Sequence, residues 1–311
     1  MVPNNQQPHV SIVICTYNRA DLLRVTLDSL QRLSSIDRVE VIIVDNNSTD
    51  HTRSVTEAYM KRNKGQVDAG YYFERSQGLS AARNKGIQVA TGTIIAFLDD
   101  DAIPCSEWIS TIIATFDSRQ DLYAMGGMIR PNFESSRPDW LVKSLERPYT
   151  IVDMGSTVKE YPSKLHPYGA NMAIRRSFFD NHAFPTELGR KGNLLLSGEE
   201  SWLFAKMRKA GKTILYHPGM AVDHFIPSSR LTREWIQQRY YYQGISNACM
   251  RNGIGGKLSL VGTLAGKMLY ISVAFLFARS EGSRLLVKCR LLSIRGTLDM
   301  LRRRENMPLT R

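Results

Sequence analysis

Cysteine is scarce in this chain: Cys15, Cys105, Cys249 and Cys289 are the four in 311 residues, and none stands in a CxxC or Cys/His pairing. That spacing makes neither a disulfide framework nor a zinc site, and it fits a reducing cytosol. There is no low-complexity tract and no tandem repeat. The opening stretch MVPNNQQPHV lacks a basic segment leading into an apolar core, so it does not read as a signal peptide. No GxGxxG follows the first strand-like run, which disfavours a dinucleotide Rossmann site, and no GxxxxGK[ST] occurs, which removes a P-loop. Acid is the sparser charge, with 29 Asp and Glu against 41 Lys and Arg, for a net charge of +12. An excess of that size points to an anionic partner, whether nucleic acid, a phosphorylated ligand or an acidic membrane face, or to a solvated basic surface. No zinc-finger spacing or RNP-like motif favours the first of these, so nucleic acid is not expected as a partner.

What is present is an ordinary globular composition, 43% hydrophobic and 23% charged, on a length that allows one large α/β domain with an appendage or two modest domains. In the first half, strand-like and helix-like segments alternate. HVSIVIC, VEVIIV, GYYFE and TIIAFL are short apolar runs, while ADLLRVTLDSLQRL, residues 52–61 and LSAARNKGIQVA carry helical spacing. This βαβα rhythm predicts a parallel sheet covered on both faces. Ser106 is placed to cap a helix running to about Phe116. Residues 130–165 are irregular and rich in Pro, Ser and Trp. Order resumes with YGANMAI, a helix in SGEESWLFAKMRKAG that Ser197 is placed to cap and Gly211 to end, and a strand in KTILYH. Beyond about Arg230 the chain turns helical and basic.

The residues that follow the strongest strands are unusual. Thr16-Tyr17-Asn18-Arg19 follows the first, Asp45 through Asp50 the second, and Asp99-Asp100-Asp101 the fourth. In an open parallel sheet, ligands bind outside the carboxyl ends of the strands. A turn with a helix cap explains the second cluster equally well. Three adjacent acids directly after IIAFL raise the electrostatic cost there, and a divalent cation removes it. Oxygen ligands completed by a phosphate are how Mg²⁺ or Mn²⁺ is usually held, so the trio reads as a metal–diphosphate site.

SIVICTYNR, VIIVDNNSTD, GLSAARNKGI, GTIIAFLDDDAIP and SGEESWLFAKMRKAG, in that order, resemble the family-2 glycosyltransferases with the GT-A fold, over roughly residues 9–225. The resemblance implies a Rossmann-like, mostly parallel α/β sheet flanked by helices. It also implies an inverting transferase that uses a nucleotide-sugar donor and Mg²⁺ or Mn²⁺. Carried over by position, Thr16 and Asn18 would line the nucleotide pocket and Asp45 would accept a hydrogen bond from the base. Arg83 and Asn84 would lie beside the donor. Asp99 and Asp101 are the outer members of the family's D-x-D, Asp101 as metal ligand and Asp99 toward the ribose and the metal. Asp100 fills the variable middle place, and with Arg19 it completes the donor-binding candidates. The family's base is commonly the second acid of a GED motif; here the motif is Gly198-Glu199-Glu200, so Glu replaces Asp and register favours Glu200 over Glu199. Both acids could instead complement a helix N-terminus. His224 follows a late strand, where many relatives place a histidine that completes the metal shell; a structural histidine is the alternative.

The expected organisation is a catalytic domain over residues 1–228, with a nucleotide-binding half at about 9–127 and an acceptor half at about 128–228. A basic helical extension covers residues 229–311. Residues 258–278 are long and apolar enough to cross a bilayer, but Lys267 sits near their centre. An interfacial or re-entrant helix, a core helix and a span all remain open. The expected activity is transfer of a sugar from a UDP- or GDP-sugar to a lipid-linked or growing polysaccharide glycan. The expected location is the cytoplasm, peripheral at the inner face of the cell membrane. The rival enzyme is a sugar-phosphate nucleotidyltransferase, which would want a Gly-rich basic loop where CTYNRADLL stands; the non-enzymatic rival is a basic nucleic-acid binder.

Overall fold

The structure, a computed structural model, describes residues 9–192, 194–250 and 277–305, together with 266, 268 and 271. The described residues form two compact units. One takes in the residues up to Asn132, then Ile151–Thr186 and Glu200–Phe225; the other takes Phe133–Thr150, Glu187–Glu199 and the residues from Ile226 onward.

The first unit carries the sheet. Its parallel part is β3 (Asp68–Phe73), β2 (Val39–Asp45), β1 (Val10–Thr16) and β4 (Ile94–Leu98), side by side in that order. Every residue of β2 and β4 is buried, as a strand covered on both faces requires, whereas edge strand β3 is half-buried. Helices α1 (Ala20–Ser29), α2 (Thr52–Arg62), α3 (Leu79–Val89) and α4 (Trp108–Ser118) fall in the intervals the sequence predicts. The cap of α4 differs. Glu107 precedes the first turn and no side chain caps it, so Ser106 does not play that part.

Past β4 the sheet continues antiparallel. β8 (Asn171–Arg175) pairs with β4 and with β6 (Leu122–Phe133), and β9 (Thr213–Ile226) pairs with β5 (Ala102–Pro104) and β7 (Lys159–Glu160). The sheet is therefore mixed, with the predicted parallel rhythm confined to its first half. Asn171 stitches the second half from within. It receives the Trp108 indole N–H at 2.8 Å and donates to the carbonyls of Met128 and Met220 at 3.0 and 2.7 Å. A buried amide with several partners of this kind satisfies backbone groups that would otherwise lack them. The irregular stretch that follows β6 holds short 3-10 turns at Lys143–Leu145 and Arg147–Tyr149 and an isolated bridge between Ile129 and Val152.

Helix α5 (Glu199–Lys209) ends as predicted at Gly211, whose φ of +67° is the left-handed conformation that favours glycine. The Gly211 N–H donates to the Arg208 carbonyl and Lys212 N–H to that of Met207, at 2.9 and 3.1 Å, the pattern of a Schellman motif. The Ser197 hydroxyl is engaged elsewhere, donating to Gln243 Oε1 at 3.1 Å.

In the second unit, α6 (Arg233–Cys249) starts at Thr232, whose hydroxyl accepts the Trp235 N–H at 3.1 Å. It packs along α7 (Glu281–Glu305). Most of residues 258–278 lie outside the described residues; of those described, Ile271 is buried in a cluster with Val287 and Ile294. Among the described residues, no helix is long and apolar enough to cross a membrane.

Candidate active site

Strand register assembles the site. Thr16 pairs with Asp45 and Asp45 with Phe73, so β1, β2 and β3 end together. Val13 pairs with Phe97, and continuing that register sets Asp100 opposite Thr16. The Thr16 hydroxyl donates to Asp100 Oδ2 at 2.7 Å, and the Thr26 hydroxyl to the Asp100 carbonyl at 2.9 Å. Arg19 Nη1 donates to Asp100 Oδ1 at 2.6 Å, while Nη2 pairs with Asp101 Oδ2. Burial pushes the Asp100 carboxyl up to about 6; Arg19 opposes that push and the neighbouring Asp101 adds to it. Burial also works against the Arg19 charge, but Asp100 and Asp101 outweigh it and raise the guanidinium above its ordinary value.

The loops after β1 and β2 hold each other. Asn18, with φ of +51°, accepts the Thr49 N–H at 2.7 Å and gives its own backbone N–H to the Ser48 hydroxyl at 3.0 Å. Buried Asp45 accepts the Ser48 N–H and the Tyr71 hydroxyl, each at 2.8 Å. Burial first, and then this hydrogen bond to a carboxylate, pushes the Tyr71 phenol up to about 12. Asp50 accepts the Ala20 N–H at 3.0 Å through Oδ2 and the Thr52 N–H at 3.0 Å through Oδ1, so one carboxylate caps both α1 and α2. The cluster after β2 is thus partly the turn and cap that composition allowed.

Asp99, Asp101 and His224 converge. One ligand atom from each lies within 4.8 Å of the others, with Asp101 and His224 buried and Asp99 half-buried. His224 Nε2 stands 3.3 Å from Asp101 Oδ1. Pairing of Ala102 with His224 across β5 and β9 fixes that approach. Opposite ligands of one octahedral cation are about 4.2 Å apart, so small side-chain shifts would bring the three groups onto a single divalent ion. Two carboxylates and one imidazole form a donor set suited to such an ion.

A second constellation surrounds Glu200. Its Oε1 accepts the Gly169 N–H at 2.7 Å and Arg83 Nη2 at 3.2 Å. Oε2 has no protein partner among the described residues. Arg83 is buried over the rings of Phe184 and Phe97, 5.3 and 6.0 Å from their centroids, and reaches to 4.0 Å from Asp99 Oδ1. It arrives there because Gly86, one turn on, lets α3 press onto Val13 of β1, where a Cβ would collide. A Cβ on Gly169 would overlap Arg83 Nη2 and lie 2.7 Å from Glu200 Oε1. Gly169 is therefore part of this arrangement, although a glycine before a strand carries no sequence signal for it. Asn84 points its amide to Phe184, donating to the carbonyl at 2.8 Å and accepting the N–H at 2.9 Å. Glu199 is buried at the start of α5 and belongs to the second unit.

The sequence-family model described as Glycosyl transferase family 2 matches residues 11–183. The chain belongs to that family. Glucosyl-dolichyl phosphate glucuronosyltransferase of Haloferax volcanii is 27% identical over 254 residues, covering 78% of this chain and 77% of the relative. Succinoglycan biosynthesis protein ExoM of Rhizobium meliloti is 27% identical over 246 residues, covering 77% and 74%. Among solved structures, the mannosyltransferase PcManGT from Pyrobaculum calidifontis, in complex with GDP-Man and Mn²⁺, superposes with a TM-score of 0.65 at 18% identity, over 96% of this chain and 88% of that one. That likeness carries the fold, a mixed α/β GT-A sheet with flanking helices. The protein is a nucleotide-sugar glycosyltransferase, and neither the nucleotidyltransferase nor the nucleic-acid reading is favoured.

Proposed function

We propose that the protein inverts configuration while moving one sugar from a UDP- or GDP-sugar to a hydroxyl of a lipid-linked or growing polysaccharide glycan, with Glu200 as the base. The observation that carries this reading is the Glu200 carboxylate. One oxygen is pinned by Gly169 and Arg83, and the other is left to take a proton from an acceptor hydroxyl. Attack from the face opposite the leaving group then needs no covalent sugar–enzyme intermediate. Asp99, Asp101 and His224 would hold the cation, Mg²⁺ or Mn²⁺, with two carboxylates and one imidazole. A cation held there would supply positive charge against the charge developing on the diphosphate leaving group. Thr16, Asn18 and Asp45 line the nucleotide pocket, and Arg83 lies beside the sugar diphosphate. Arg19, Asp100 and Asn84 serve the donor site by fixing Asp101, Thr16 and the Phe184 segment respectively. The catalytic domain takes residues 1–228, with nucleotide and acceptor halves meeting near residue 128, and residues 229–311 form a basic extension. The two relatives, one named for a dolichyl-phosphate-linked sugar and one for succinoglycan biosynthesis, support a lipid-linked or polysaccharide acceptor. The surplus of basic residues supports work at the inner face of the cell membrane.

Glu200→Gln keeps the shape but removes the proton acceptor. Transfer is expected to fall by roughly 10² to 10⁴ while donor affinity stays nearly the same. Glu199→Gln is expected to do less. Reversed effects would move the base to Glu199, and full activity in both variants would overturn the assignment.

A further inference from the structure

Helix α7 presents a surface that the transfer chemistry does not use. Arg284, Lys288, Leu291, Arg295, Leu298 and Arg302 are all exposed, with Leu291 and Leu298 at 44% and 40%. At about 100° per residue these positions fall on one stripe roughly 80° wide. The opposite face is clamped. A Cβ on Gly296 would run into the Tyr241 carbonyl, and one on Gly244 into that of Ser293. The Thr297 hydroxyl donates to the Gly244 carbonyl at 2.9 Å. Helix α6 thus fixes the rotation of α7 and holds the stripe outward. Of the two acids of residues 281–302, Glu281 is engaged by Arg233, and Asp299 by the Tyr241 hydroxyl at 3.0 Å and, at 3.7 Å, by Arg295 of the stripe, whose side chain stays exposed.

We propose that this stripe docks the protein on an anionic bilayer surface. The inference deepens the membrane-face part of the function proposed above and rests on it. Leucines interleaved with cations fit a bilayer interface, where the apolar side chains enter the acyl boundary and the long basic side chains reach back to the phosphates. A nucleic acid would engage the cations and leave the leucines unused.

Sedimentation of the full chain with phosphatidylcholine vesicles, with and without phosphatidylglycerol, tests this. The chain is expected to pellet with the anionic vesicles and to be only partly released by salt, because salt screens the charges and not the apolar contact. Arg284→Gln/Lys288→Gln/Arg295→Gln should weaken binding roughly 10²-fold. Leu291→Ser/Leu298→Ser should leave binding that salt releases completely. Both variants should turn over a nucleotide sugar with a soluble acceptor at the unaltered rate, which separates failure of the docking surface from failure of the transferase reading. Unchanged vesicle binding in the charge variant would overturn the proposal, as would equal binding to neutral vesicles. So would a leucine variant indistinguishable from the parent, with RNA displacing both from the vesicles.

Discussion

At the scale of single residues, the site is set by groups that already have partners. Asp100 is the clearest instance: the middle acid of the trio bonds Thr16 and Arg19 inside the protein, which leaves its neighbours Asp99 and Asp101 to face His224. Asp101→Asn, which keeps the volume of this buried side chain beside Arg19, should therefore abolish Mn²⁺-dependent donor binding without unfolding the chain. Calorimetric titration of donor with and without Mn²⁺ checks this, and normal, still Mn²⁺-dependent binding would contradict the metal assignment. Gly169→Ala should act through position. Its methyl group would displace Arg83 and crowd Glu200 Oε1, and misplacement on the order of 1 Å costs about 10² in rate. Circular dichroism should remain that of the parent; parental turnover would show that the Gly169 contact is dispensable.

Elements were legible where one physical rule governed them. β2 and β4 are buried on both faces, so their apolar runs stand out, and the polar clusters at their carboxyl ends mark where a parallel sheet receives ligand. Gly211 ended α5 as glycine does. Its φ is positive and a Cβ there would meet nothing within 4 Å, so Gly211→Ala carries a conformational cost alone. That cost is about 1 kcal/mol, and the thermal midpoint should fall by roughly 2–4 °C. An unchanged midpoint in a thermal scan would contradict it. Less could be read where the partner lies far along the chain. The bond from Thr16 to Asp100 joins residues 84 apart, and that from Gly169 to Glu200 joins residues 31 apart. Neither leaves a local pattern. The antiparallel half of the sheet was hidden for the same reason, since β5 finds its neighbour only in β9. The two predicted serine caps failed because Ser106 stands too early for α4 and the Ser197 hydroxyl is taken by Gln243.

At the scale of the whole molecule, the first unit gathers the acidic cluster, the Arg83–Glu200 pair and the strand ends, while the second carries the basic helical pair. The transfer chemistry and the proposed surface attachment are thereby separable in mutants. The central claim concerns the chemistry, that this sheet transfers sugar from a nucleoside diphosphate with the help of a divalent ion. The most direct measurement incubates the full chain with a panel of UDP- and GDP-sugars, with Mn²⁺ or with a chelator, and reads the nucleotide product. Release of nucleoside diphosphate from one donor, suppressed by the chelator and restored by Mn²⁺, is the predicted result. Pyrophosphate exchange with no release of nucleoside diphosphate from any donor would contradict it.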